Sequence, residues 1–398
     1  VKLLVVCQYY YPEPFRITDI CETLVNRGHE ITILTGLPNY PDGIVPNDYK
    51  KRKKRYEIIN GVKVIRCFEY GRGKSKIGLF ANYFSFSISG TIKALFLKEK
   101  FDAVFVNQLS PIMMSLPAIA YKYKFNIKIL LYCLDLWPAS LAAGGIKSGS
   151  FVHNIFLLIS RWIYNSVDSI LITSSMFNDY FINILNINSV KITHLPQYAE
   201  DIFIPKNQIH NKKNNYKYNF VFAGNIGEMQ SVDTIIYAAN ELRNNENVII
   251  HLVGDGSKLN DCKLLISELN LSNVRLHGRK AVEDMPKFYD MADAMLITLK
   301  SNEILSMTLP GKVQSYMAAG KPIIGAINGE TKTIINEANC GMICDAEDYI
   351  SLSKLILEFI NSSNKLQMGL NAVEYYKSNY NKEMFIEKLE NELLRLEE

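Results

Sequence analysis

The seven cysteines are scattered, with no Cys-x-x-Cys pair and no recurring spacing. Cys7 (KLLVVC) and Cys133 (ILLYC) lie in apolar strand-like runs, where a thiol behaves as a small hydrophobe. A disulfide framework is excluded and a reducing compartment expected. The six histidines never fall within five residues of one another, and no Asp-x-Asp triplet occurs. No metal is therefore expected. No Gly-x-Gly-x-x-Gly fingerprint occurs, which counts against a nicotinamide dehydrogenase. A net charge of only +4 gives no global pull toward nucleic acid. The longest apolar-rich stretch, Ile77 to Leu97, is interrupted by Asn82, Ser85, Ser87, Gly90 and Lys93. It reads as a buried or surface-lying helix rather than a membrane span. The start, VKLLVVCQYY, has no cleavage signal, so a cytoplasmic location is expected.

What is present is the balance of a soluble globular protein, 48% apolar and 21% charged over 398 residues, a length that favours two domains. Short β-branched runs alternate with helical spacing in the first half, as in Lys2–Cys7 followed by Ile17, Ile20, Cys21 and Leu24. Further strands are expected at 30–35, 62–66, 102–106, 127–132, 169–172 and 190–195. The polar stretch PKNQIHNKKNNYKY reads as a linker over 205–218, after an N-terminal domain over 1–204. The alternation then restarts with strands at 219–223, 248–253, 274–277, 294–297, 322–325 and 341–344. A C-terminal domain over 219–378 is expected, with a helix over 379–398 that could return to the N-terminal domain. Continuous apolar strands alternating with helices imply two α/β domains with doubly wound parallel sheets. In such sheets ligands bind beyond the carboxyl ends of the strands, so the cleft between the halves is the expected active site.

Four strand-to-helix turns in the second half carry the chemistry. In FVFAGNIGEMQS a strand ends at Ala223, and Gly224-Asn225-Ile226-Gly227 offers backbone N–H groups before a helix near Ser231, with Gln230 beside it. Exposed amides at a helix start suit a diphosphate. VGDGSK places Gly254, Gly256 and Lys258 at the next strand end, and HGRK places Arg279 and Lys280 after the third. LPGKVQSYMAAGKP sets Leu309, Pro310, Gly311 and Lys312 at a helix start. Each alone is an ordinary turn; four within about one hundred residues converge on an anion site.

These elements, with GHEITILTGLPNYP and LDLWP in the first half, resemble the retaining glycosyltransferases of family 4 over essentially the whole chain. The likeness is greatest to the WbuB-like N-acetyl-fucosaminyltransferase group of bacterial O-antigen and capsule synthesis. The resemblance implies the GT-B fold and a UDP-sugar donor held by the C-terminal domain. By it, Gly224, Asn225, Gly254, Arg279 and Lys280 contact the nucleotide, and Leu309 to Lys312 approach the phosphate and sugar. The family's Arg and Lys of the first loop are replaced by Asn225 and Gln230, and its two glutamates by Met307 and Ser315. Charge neutralisation then falls to Arg279, Lys312 and backbone dipoles, without a metal.

Asp135 follows a buried strand, with Leu134 where many relatives have histidine. It is either a polar group near the reacting carbon or a cap for the following helix. Glu13, Arg16, Asn39 and Tyr40 are expected on the acceptor side. The resemblance implies a polyprenyl-diphosphate-linked saccharide as acceptor and a peripheral position on the inner membrane face. Lys50 to Arg55 (KKRKKR), with the aromatic Phe80–Phe86 region, is expected to meet an anionic membrane. Two other readings use the same donor site: a nucleotide-sugar epimerase, and an inactive nucleotide-sugar-binding scaffold subunit.

Overall fold

The computed structural model describes residues 1–73, 75–144, 146–205 and 217–396. Two compact units result, Val1–Leu195 with Ile386–Glu398, and Pro196–Phe385. The change of unit at Leu195/Pro196 precedes the expected boundary at 204. Its physical reason is packing: Ala199 lies in the second unit's core, and Phe203 stacks on Tyr289 at 4.8 Å. Of the expected linker 205–218, residues 206–216 lie outside the described residues.

The first unit is built on eight strands: β1 (Lys2–Val6), β2 (Glu30–Thr35), β3 (Tyr56–Ile59), β4 (Val62–Arg66), β5 (Ala103–Gln108), β6 (Ile129–Cys133), β7 (Ser169–Ile172) and β8 (Ile192–His194). Their order is β3-β4-β2-β1-β5-β6-β7-β8, parallel except for β3 against β4. Sequence reading missed β3. The signal was Asn60-Gly61, whose positive φ values of 47° and 83° make the tight hairpin turn that joins β3 to β4. β1 has neighbours on both sides, β2 and β5, so the chain leaves it in two directions. This is the switch point where doubly wound sheets open a crevice.

Helices α1 (Ile17–Asn26), α2 (Lys76–Phe96), α3 (Leu116–Phe125) and α4 (Phe151–Ser166) cover the sheet. α1 buries Ile17, Ile20, Cys21 and Leu24, the expected stripe. α2 packs closely on α3 because Gly90 leaves room for Pro117, whose ring carbon would lie 2.9 Å from an added Cβ. The last helix, Lys382–Arg395, ends in this unit, burying Leu389 and Leu393. Its Glu390 accepts from Arg27 at 2.5 Å and lies 2.9 Å from His29 Nε2.

The second unit has six parallel strands, β9 (Tyr218–Ala223), β10 (Val248–Val253), β11 (Val274–Gly278), β12 (Ala294–Thr298), β13 (Ile323–Ala326) and β14 (Gly341–Cys344), in the order β11-β10-β9-β12-β13-β14. Here β9 holds the switch point, between β10 and β12. Burial on both faces explains the continuous apolar strands, as in Val248–Val253, every residue of which is buried. No helix among the described residues is long and apolar enough to cross a membrane.

Candidate functional site

In the second unit the expected donor residues gather around the end of β9. Gly224 has φ +142° and donates its N–H to Val253 O, while Gly254 has φ +148° and donates to Gly278 O. The two loops touch: a Cβ on Gly254 would fall 1.8 Å from Gly224 O, and one on Gly256 2.4 Å from Ile226 O. Glycine is required at both places by contact, and at Gly254 by φ as well. Ile226 N–H donates to Asp255 O and Lys258 N–H to Ile226 O, so the first two expected turns form one latched loop pair. Asn225 is exposed and its amide folds over Gly227, 2.6 Å from where a Cβ would stand. Buried Tyr316 fixes the end of β9 from below, its hydroxyl accepting from Ala223 N–H at 3.2 Å and donating to Ala223 O at 3.1 Å.

Helix Gly311–Ala318 begins beside this loop, with Pro310 at its N-cap and Leu309 buried before it. Lys312 projects from its first turn to the β9 loop. Its ammonium lies 4.2 Å over the Phe222 ring and donates to Gln230 Oε1 at 2.6 Å. It also lies 3.3 Å from where a Gly224 Cβ would be, so glycine admits it. Gln230 is held in turn by its backbone carbonyl, which accepts from Thr298 Oγ1 at 2.6 Å. Burial pushes the Lys312 ammonium down to about 7, since its hydrogen-bond partner is a neutral amide. Among the described residues, no carboxylate pairs with this desolvated cation. An anion placed here would raise its affinity for a proton.

The other expected cations differ. Lys258 is engaged by Glu228 and Asp261, both at 2.9 Å, and Lys300 also pairs with Glu228. The Lys258 ammonium is thus held by two carboxylates rather than offered to an anion. These ion pairs hold Glu228 down near 2 and push Lys258 up. Arg279 and Lys280 are exposed just beyond β11, where Gly278 turns with φ +66°. Ser315 is buried and donates to Gly311 O at 3.3 Å, so its hydroxyl serves its own helix. Sequence reading treated the histidines as isolated. His251 Nδ1 and His277 Nε2 lie 2.9 Å apart across adjacent strands, and His251 Nε2 meets Asn219 Oδ1 at 3.0 Å. Register across β10 and β11, not sequence spacing, makes this pair, and burial lowers His251 to about 4.

In the first unit Glu13, Asn39 and Tyr40 come together at the ends of β1 and β2. Glu13 Oε1 accepts from Asn39 N–H at 2.8 Å and Tyr40 N–H at 2.6 Å. Burial nevertheless pushes Glu13 up to about 7. Arg16 precedes α1 at its N-cap. Tyr9, Phe15 and Tyr40 form an aromatic group with centroids 5.0 to 6.2 Å apart. A second carboxyl group, Glu69, was not singled out from the sequence. Fully buried beyond β4, it accepts from Gln8 Nε2 at 2.8 Å and Asn82 Nδ2 at 2.7 Å, and burial drives it well above the carboxylate range. Its sequence signal was a carboxylate three residues past the end of a strand.

Asp135 Oδ2 accepts from Ser110 N–H at 3.2 Å, so it joins the ends of β5 and β6. Burial raises its pKa above the usual carboxylate value, making it a weaker acid. Trp137 packs edge-on against Phe156 and donates to Ser110 Oγ at 3.0 Å. Trp162 is 49% exposed on α4.

Comparison with known proteins places these sites in context. Residues 15–197 match the model of the glycosyl transferase 4-like domain, and residues 203–374 that of glycosyl transferases group 1. The chain is 25% identical to a putative colanic acid biosynthesis glycosyl transferase, WcaI, of Escherichia coli (strain K12), over 80% of this chain and 82% of that protein. It is also 25% identical to a probable glycosyltransferase, WbjE, of Pseudomonas aeruginosa, over 62% of this chain and 63% of that protein. The match therefore spans less than two thirds of WbjE. Among solved structures, sucrose-phosphate synthase from Thermosynechococcus elongatus superposes with a TM-score of 0.76 at 14% identity, covering 99% of this chain and 98% of that one. Anabaena HepE in complex with UDP gives 0.72 at 13% identity, covering 99% and 100%.

Proposed function

The chain belongs to the glycosyltransferases, a 4-like domain joined to a group 1 domain in the GT-B fold, and from that premise we propose that it transfers an N-acetylated sugar from a UDP-linked donor to a lipid-linked saccharide in bacterial surface polysaccharide synthesis, with retention of configuration. The observation that carries this reading is Lys312: a desolvated ammonium at the end of β9 whose hydrogen-bond partner is the neutral amide of Gln230. A diphosphate supplies the balancing charge.

The donor's diphosphate meets the backbone amides of Asn225 and Gly227, at the loop that Gly224 opens, the start of helix Gly311–Ala318 and the Lys312 ammonium. Arg279, with Lys280, completes neutralisation of the leaving group from beyond β11. Gly254 and Gly256 let the loops approach closely. Lys258 acts indirectly, holding Glu228 and so the loop that presents Gln230. The fold-level likeness to HepE, solved with UDP and with UDP-glucose, supports a uridine donor.

In the first unit Glu13, Arg16, Asn39 and Tyr40 receive the acceptor, and Asp135 accepts a hydroxyl proton in a hydrogen bond that orients it. The acceptor oxygen bonds to the anomeric carbon on the face from which the diphosphate departs. Its proton passes to the departing phosphate oxygen, and the C–O bond to the donor phosphate breaks. The description of WcaI as a colanic acid biosynthesis glycosyl transferase supports a polysaccharide role, for which the proposed acceptor is a saccharide carried on a polyprenyl diphosphate. Lys50–Arg55 and the Phe80–Phe86 region are the proposed contact with the membrane that holds it.

A thermal-shift screen over UDP-, GDP- and dTDP-sugars tests the donor assignment, because a ligand that binds only the folded state stabilises it by mass action. UDP-N-acetylsugars should raise the melting temperature most. A larger shift with a GDP- or dTDP-sugar would overturn the uridine assignment.

A further inference from the structure

Helix α2 is apolar on the wrong side for a protein that meets only water. Its inward face carries Phe86 and Ala94, both fully buried. Yet Ile77, Phe80, Phe84, Ile88, Ile92 and Leu95 form a second stripe, at three- and four-residue spacing, each between 41% and 82% exposed. Helix α4 repeats the pattern with Phe151, Ile155, Leu158 and Trp162, all at least 41% exposed. Exposed apolar side chains scattered singly need no explanation, but two continuous stripes do.

The stripes belong to one layer. The steps β4 to β5, β5 to β6 and β6 to β7 carry α2, α3 and α4 as crossovers running the same way across a parallel sheet. Right-handed crossovers put all three helices on one face. α2 and α4 both pack on α3 and on the short turn Ile112–Ser115 between them.

Charge identifies the occupant. From Gly71 to Val167 the sequence has eleven lysines and arginines against three acids, Glu99, Asp102 and Asp135. None of the three lies on α2, α3 or α4. Glu99 pairs with Lys2, Asp102 accepts from Lys2 N–H, and Asp135 serves Ser110. The cationic run 50–55 joins the same border, since the next residue, Tyr56, accepts from Lys93 of α2 at 2.6 Å. Asp168, one residue beyond Val167, is taken up by Lys122 of α3 at 2.7 Å, so the cations stay in large excess; an apolar surface edged in this way complements an anionic bilayer, and a second copy of the same face would be repelled.

We propose that α2 and α4 together form a two-helix plate that lies flat in the interface of an anionic membrane, its two stripes entering the acyl boundary. This extends the membrane contact proposed above to a second helix and rests on that reading, but its test does not require sugar transfer.

The full chain is sedimented with phosphatidylglycerol-rich and with pure phosphatidylcholine vesicles. Two double variants accompany it, Phe84→Glu with Ile88→Glu on α2, and Leu158→Glu with Trp162→Glu on α4. All four side chains are exposed, and unchanged melting temperatures establish that the variants fold. The wild type should bind phosphatidylglycerol-rich vesicles preferentially, and each double variant should weaken partitioning by about tenfold or more. Loss with the α2 pair alone would overturn the two-helix plate. Equal binding to both vesicles, or none, would overturn the anionic membrane as occupant. So would a wild-type dimer, seen by light scattering, that both pairs abolish. A chain that binds vesicles but transfers no sugar would refute the proposed function while leaving the plate intact.

Discussion

Replacing Lys312 by methionine should stabilise the second unit while destroying its affinity for a diphosphate. Methionine keeps the aliphatic contact with Phe222 and removes the charge, which folding must desolvate against only Gln230. Burial lowers this ammonium from 10.5 to about 7. Below about 7 it is charged in both states, and the full desolvation cost opposes folding. Between about 7 and 10.5 the unfolded chain holds a proton that the folded chain has lost, so stability rises with pH by up to about 1.4 kcal/mol per unit. The advantage of Lys312→Met should thus reach several kcal/mol near neutral pH and shrink by roughly 2–3 kcal/mol between about pH 7 and pH 9. Urea denaturation at a series of pH values measures it. The wild type should also take up close to one proton on binding UDP near pH 8, seen by calorimetry in buffers of different ionisation enthalpy, because the phosphate restores the ammonium. Parallel stability profiles for the two proteins, or UDP binding without proton uptake, would refute the reasoning.

Glu13→Gln should abolish an opposite slope: the wild-type carboxyl group, raised from 4.5 to about 7, loses stability as pH climbs through that window, by roughly 3 kcal/mol in all. Denaturation midpoints should show the variant ahead of wild type at pH 8 and near it at pH 4.5. Gly254→Ala, with its new methyl 1.8 Å from Gly224 O, should cost about 3 kcal/mol or more and leave little soluble protein on expression. Tyr316→Phe removes both bonds to Ala223 in a buried site and should cost about 1–3 kcal/mol by urea titration.

The fold was legible because its signals are local. Apolar runs such as Val248–Val253 mark strands buried on both faces, and Gly224 and Gly254 mark the loops where backbone must approach backbone. What escaped notice came from tertiary contact. The His251–His277 pair depends on strand register, and the Glu69 network gathers Gln8 and Asn82 from distant segments. Lys258 looked like a free cation at a helix start until Glu228 arrived from the neighbouring loop. Strand β3 was obscured by the cationic run before it, although Asn60-Gly61 announced its hairpin. The solvent-facing stripe of α2 was ambiguous for a physical reason: sequence reveals that a helix has two apolar sides, not which one finds a partner.

The central claim, that this chain transfers a sugar to an acceptor rather than remodelling or merely holding its donor, is tested by incubating it with labelled UDP-N-acetylsugar, with and without a polyprenyl-diphosphate-linked saccharide. Product analysis by mass spectrometry and NMR should show an extended lipid-linked saccharide, with the donor's anomeric configuration retained, only when the acceptor is present. Conversion of the donor sugar to an epimer without acceptor, or an intact donor across a broad panel that the protein nonetheless binds, would contradict it.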